Sequence, residues 1–309
     1  MRLVGGGPPF IRVTPRRIPL TVTYRLAFGQ TIASAGTFCA FFRACTTSDV
    51  AQLRERRRLA SLTATLAWPR TNSLLNPTRG WNATLDVTSS SRFIGSSPLE
   101  EFNRVVAEVA WYRSLSRSVV LTWRIRGGLL FSPKATFDSS SVNFVPPEER
   151  FYAGGPNDVR GYDQNELGPV VYVAPDSLID SSGNVPPGKA QVFPTGGNTL
   201  AIANVELRLP SPIFSARVRW AVFVDAGLLY ERDNPAGSPQ LVRVTPGIGL
   251  RIATPLGPAR LDVAYNGYDR PPGALYGLTS SGDLILRREG FTQARSHGYT
   301  IHIAVGQPF

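Results

Sequence analysis

Val242-Arg-Val-Thr-Pro-Gly-Ile-Gly-Leu-Arg-Ile-Ala-Thr254 alternates in character at almost every step. Val242, Val244, Pro246, Ile248, Leu250 and Ile252 share one parity. Arg243, Thr245, Gly247, Gly249, Arg251 and Ala253 share the other. A period of two is the signature of a β-strand whose faces meet different media. The segment 218–230 repeats it, with Trp220, Val222 and Val224 on one face against Arg219, Ala221, Phe223, Asp225 and Gly227. So do stretches around Leu20–Leu26, Leu62–Trp68, Trp81–Val87 and Val119–Ile125. The reading is all-β.

The connections decide which all-β architecture. Short links at 15–19, 69–80, 114–117, 210–216 and 255–258 take turns with long ones at about 29–57, 89–101, 132–198, 231–241 and 266–297. Tight turns at one rim and long loops at the other describe an up-and-down transmembrane barrel. A soluble sandwich also alternates, but its apolar faces meet in a dry core. Here the second face is rich in Gly, Thr and Arg, which a wet lumen tolerates. The expected fold is therefore an antiparallel transmembrane β-barrel of ten strands, with a further remnant near Phe10–Val13. Trp68, Trp81, Trp111, Trp123 and Tyr230 are expected on its lipid face. No apolar run approaches the ~20 residues of a membrane helix.

The 309-residue chain carries a net charge of +11. The arginines are spread singly through strands and turns, apart from Arg54, Arg56, Arg57 and Arg58, and no nucleic-acid recognition motif accompanies them. A polar lumen or lipid phosphate suits that spacing better. Catalytic signatures are missing: there is no HExxH, no phosphate-binding glycine loop and no nucleophile elbow. His297 falls in a loop and His302 faces inward on the last strand. No cofactor or metal is expected. Cys39 and Cys45 are close enough to form a disulfide within one loop, or to remain two small apolar residues. Within 132–198, the Ser/Gly/Pro-rich stretch 175–194 reads as mobile; 266–297 reads as a surface loop. The start, Met1-Arg-Leu-Val-Gly-Gly-Gly7, does not read as a signal peptide, so the chain is expected to be truncated at its N-terminus.

Several motifs then fall in order. Phe151-Tyr-Ala-Gly154-Gly155, Val159-Arg160-Gly161-Tyr162 and Leu167-Gly-Pro169 resemble the lumen-plugging loop of BamA/TamA-type outer-membrane assembly factors, the bacterial surface antigen family. Glu206-Leu-Arg-Leu-Pro210, Phe223-Val-Asp225-Ala-Gly227, Pro246–Arg251 and Thr254–Pro258 resemble its following strands. Tyr299, Ile301, Ile303 and Val305, ahead of the terminal Phe309, resemble its C-terminal signal strand. Asn76-Pro-Thr-Arg-Gly80 is similar to one of its periplasmic turns.

The resemblance covers about 57–309. It implies the C-terminal part of a sixteen-stranded barrel in a bacterial outer membrane, without the periplasmic POTRA domains. It implies a non-enzymatic insertion factor that pairs client strands at a lateral seam. The alternatives are a polypeptide-translocating pore and, from a different class, a passive porin. Outer-membrane lipids, unfolded outer-membrane protein clients and periplasmic accessory lipoproteins would be its partners. It also implies that Arg160 reaches Glu206 and Asp225 on the inner wall. Strand parity independently points both carboxylates inward. Gly161 is expected to permit a sharp turn at the loop tip, and Gly154 and Gly155 to serve as turn residues.

Overall fold

The computed structural model describes residues 3–5, 10–11, 19–29, 51, 54, 57–137, 140–143, 145–213, 218–232, 241–254, 257–280, 284–295 and 297–306. Cys39, Cys45, Val13 and Phe309 lie outside the described residues.

Ten strands form the wall: β1 (Leu20–Gly29), β2 (Arg57–Thr71), β3 (Gly80–Ser90), β4 (Phe102–Ser114), β5 (Val120–Phe131), β6 (Thr199–Pro210), β7 (Val218–Tyr230), β8 (Arg243–Thr254), β9 (Gly257–Tyr265) and β10 (Tyr299–Val305). Each pairs antiparallel with its neighbour in sequence. Two short strands, Leu3–Gly5 and Phe10–Ile11, pair with β1. The wall is a partial up-and-down barrel, and its connections alternate short and long around the rims.

Burial along the strands is inverted relative to a water-soluble protein. In β8 the apolar residues Val244, Ile248 and Ile252 are the exposed ones, while Thr245 and Arg251 are buried. In β10, Tyr299, Ile301, Ile303 and Val305 all face outward, Ile303 being 82% exposed. Trp81, Trp111 and Trp220 are exposed on the same outer face. Apolar side chains spread over a whole outer wall make sense only in hydrocarbon.

The 132–198 connection turns back into the lumen and packs on the inner wall. Phe151, Val159, Tyr162 and Leu167 from the loop cluster with Leu130, Leu200, Ile202 and Leu229 from the wall. Parts of both stretches expected as loops carry strands: Gln191–Pro194 from the first, and Gly273–Leu278 and Leu284–Phe291 from the second, join Val170–Pro175 in one four-stranded sheet. Val170–Pro175 pairs antiparallel with Gln191–Pro194 and parallel with Gly273–Leu278, which pairs in turn with Leu284–Phe291. Tyr172, Leu275 and Phe291 are buried at its centre, and Arg287 holds Asp176 at 2.6 Å. Parallel pairing between segments about a hundred positions apart leaves no local periodicity, so turn-rich composition alone misleads there.

Candidate functional site

The loop tip is first organised by its own backbone. Gly155 N–H donates to the Tyr162 carbonyl at 3.0 Å, and Tyr162 N–H to the Val159 carbonyl at 3.1 Å. Gly154 and Gly155 make the entry turn at φ of 102° and 104°. That backbone region penalises any residue with a Cβ. Gly161 is not in this region. Its need for glycine comes from close packing: a Cβ there would collide with the side chain of Thr245 on β8. The expected reason, a sharp turn, is corrected to a close approach.

This tip carries Arg160 into the wall, where it is 1% exposed. Its Nε donates to Asp225 Oδ2 at 2.7 Å and its Nη2 to Asp225 Oδ1 at 2.8 Å, a bidentate fork. Its Nη1 donates to Glu206 Oε2 at 2.7 Å. Even its backbone N–H is used, donating to Asp225 Oδ2 at 3.0 Å. The guanidinium carbon lies 3.3 Å from the centroid of the Phe223 ring. A planar, always-charged group with a fork of donors suits this geometry better than lysine would.

Beyond Glu206 and Asp225, the two carboxylates expected from the sequence, the network is wider. Arg251 on β8 bridges Glu206 and Asp262, each at 2.7 Å. Arg208 donates to Glu206 at 2.9 Å. Arg260 donates to the Pro156 carbonyl at 2.7 Å and to the Asn157 side chain. Asn204 ties Asp225 to the Asp158 carbonyl. Arg124 on β5 donates to Asn204 and to the Asn157 carbonyl. Glu206, Asp225 and Asp262 are 0% exposed, so each carboxylate must be matched by cations rather than water. Inward parity on β8 and β9 would have found Arg251 and Asp262. The contributions of Asn204 and Arg124 depend on the loop, which the strand pattern cannot place.

The tip also reaches the last strand. Thr300 Oγ1 donates to the Gly161 carbonyl at 3.1 Å, and Asn266 Nδ2 to the same oxygen at 2.8 Å. His302 Nε2 lies 3.0 Å from the Arg160 carbonyl and 3.2 Å from that of Tyr162. Higher up, Glu166 is gripped by Arg270 and Arg295 at 3.1 and 2.9 Å. Burial alone would raise its pKa, yet the guanidinium groups, Arg295 foremost, outweigh it and hold the carboxyl below its usual range.

A polar loop locked inside a meander of outward-apolar strands is a specific arrangement, and residues 18–300 match the Omp85 superfamily domain. The chain belongs to the Omp85 superfamily. Among curated relatives it is 30% identical over 171 residues to the outer membrane protein assembly factor BamA of Neisseria meningitidis, covering 54% of this chain and 18% of that protein. It is 27% identical over 157 residues to the chloroplastic outer envelope protein 80 of Arabidopsis thaliana, covering 47% of this chain and 17% of that protein. This Omp85 chain thus spans about a fifth of the length of the relatives it matches. Its fold is similar to the crystal structure of BamA from Haemophilus ducreyi lacking POTRA domains 1-3, at TM-score 0.59 and 19% identity. That match covers 87% of this chain and 49% of the other.

Proposed function

We propose that this barrel folds and inserts client β-barrels, admitting their strands at the edge of β10. Its place is a bacterial outer membrane, and its work is non-catalytic. Membership in the Omp85 superfamily supports an assembly or secretion role. The observation that carries the finer reading is the tie between the loop tip and β10. Thr300 and His302 fasten the inner face of β10 to the carbonyls of the locked tip. Among the described residues, nothing pairs with the far edge of β10. An unpaired strand edge offers N–H and C=O groups to an incoming strand. The tip would hold this edge in place while a client adds to it. The partners are unfolded outer-membrane chains, the surrounding lipid and periplasmic accessory lipoproteins.

A second reading, a polypeptide-conducting pore, draws on the polar inner faces of β2 to β4, where Thr63, Thr65, Thr84 and Asp86 are only half-buried. Site-specific photocrosslinking separates the two. A crosslinker at Ile303 should capture newly made outer-membrane proteins if the edge receives clients. Capture of a secreted chain from Thr84, with none from Ile303, would overturn the insertion reading in favour of the pore.

A further inference from the structure

All of the chain's tryptophans lie towards the short-turn rim. Trp68 and Trp81 flank the turn at 72–79, Trp111 and Trp123 flank the turn at 115–119, and Trp220 follows the turn at 211–217. Two of them have an arginine of the same strand parity two positions nearer the turn, Trp68 with Arg70 and Trp111 with Arg113, and Arg79 lies in the turn two positions before Trp81. The strands are adjacent, and their register sets Arg70, Trp81, Trp111 and Trp123 level across the wall. Arg70 is opposite Trp81, Trp81 opposite Trp111, and Trp111 opposite Trp123. Trp111 and Trp123 touch edge to face at 5.6 Å. Arg70, Arg79 and Arg113 are all exposed. No Asp or Glu occurs in 66–83 or 109–125 to neutralise them.

Two residues along a strand span about 6.6 Å. With Trp81, Trp111 and Trp123 at the acyl boundary, Arg113 and the turn residue Arg79 lie at the depth of the lipid phosphates, and Arg70, level with the indoles, reaches it by extending its side chain towards the rim. We propose that this outer band on β2, β3 and β4 is a binding site for anionic phospholipid headgroups of the leaflet at the short-turn rim. Arg70, Arg79 and Arg113 donate to the phosphates, and Trp68, Trp81 and Trp111 seat the glycerol and upper acyl region. Arginine gives bidentate phosphate contacts that a lone tryptophan girdle would not. The band sits on the flank opposite the β10 edge in strand order, so it would anchor the barrel without obstructing that edge.

The tryptophans themselves report the result. The full chain is reconstituted in vesicles of phosphatidylcholine and phosphatidylglycerol, with one or the other lipid brominated at the same mole fraction. Brominated phosphatidylglycerol should quench the tryptophan fluorescence more strongly. The preference should correspond to about fivefold local enrichment, the Boltzmann factor of the ~1 kcal/mol a cationic side chain gains at an anionic leaflet. The preference should vanish in the triple variant R70Q/R79Q/R113Q and persist in R70K/R79K/R113K, with heat-modifiable gel migration showing that both variants fold. Equal quenching by the two lipids in the unmodified chain, or a preference that survives the glutamine variant, overturns the proposal.

Discussion

The inner face of β5 to β9 and the inner face of β2 and β3 alternate alike, yet they carry different chemistry. Under the loop, Thr122, Asn204, Glu206, Asp225, Thr245 and Asp262 are buried, and the charges form a network with Arg160 at its centre. Away from the loop, Thr63, Thr65, Thr84 and Asp86 are half-buried. There the contacts are local and light: Thr63 with Thr88 at 3.0 Å, and Thr65 donating to Asp86 at 2.5 Å. Water can solvate the second wall, so its polar groups need no fixed partners. The first wall has lost that option, so every charge on it must find a counter-charge. The loop both dries this wall and delivers the cation that makes drying tolerable.

The sharpest way to break this contrast is to delete one carboxylate from each wall. Asp225→Ala leaves the Arg160 guanidinium without its bidentate partner in a dry site, and should weaken loop docking by about 3–5 kcal/mol. Asp86→Ala, facing solvent, should cost less than about 1 kcal/mol. Hydrogen exchange at the Gly155 and Tyr162 amides, which hold the tip closed, reads both. Equal protection losses in the two variants would mean that the walls do not differ in solvation as described.

A smaller effect tests how closely the tip approaches the dry wall. Gly161→Ala should push the tip away from Thr245 and cost about 1–3 kcal/mol. Combining it with Thr245→Gly, which removes the side chain it strikes, should restore much of that loss. A double-mutant cycle on thermal unfolding measures the coupling. Strict additivity would place the glycine's importance in its backbone instead.

These residues also show what a sequence can and cannot disclose here. Alternation in 242–254 alone sufficed to orient β8, because lipid and lumen impose opposite demands on successive side chains. Parity then turned Glu206 and Asp225 inward, and only the family resemblance implied that Arg160 reaches them. What stayed hidden depends on contacts across long stretches of chain. Nothing near Gly161 announces Thr245, and nothing near Val170 announces Gly273. The apolar alternation of Gly273–Leu278 is too short, and too broken by turns on either side, to stand out from a loop. The roles of Asn204, Asn266 and His302 rest on backbone carbonyls of the tip, which no side-chain pattern records.

The gentlest probe acts above the lumen, where Glu166 joins the loop to the 266–298 connection through Arg270 and Arg295. Its carboxyl is held below the usual range in the folded chain, so the unfolded form takes up a proton first as pH falls. The contribution of this contact is therefore complete above the unfolded glutamate value of about 4.3 and is lost as pH drops through and below it. The effect should be smaller than that of Asp225→Ala, because the contact lies nearer solvent and only one carboxylate is involved. Hydrogen exchange of the Glu166 and Leu167 amides, followed through acid, should show protection falling in the unmodified chain. In Glu166→Gln the protection should be lower at neutral pH and nearly flat across the same range. An unchanged acid slope in that variant would assign the transition to a different carboxylate and leave Glu166 as a passive bridge between the two connections.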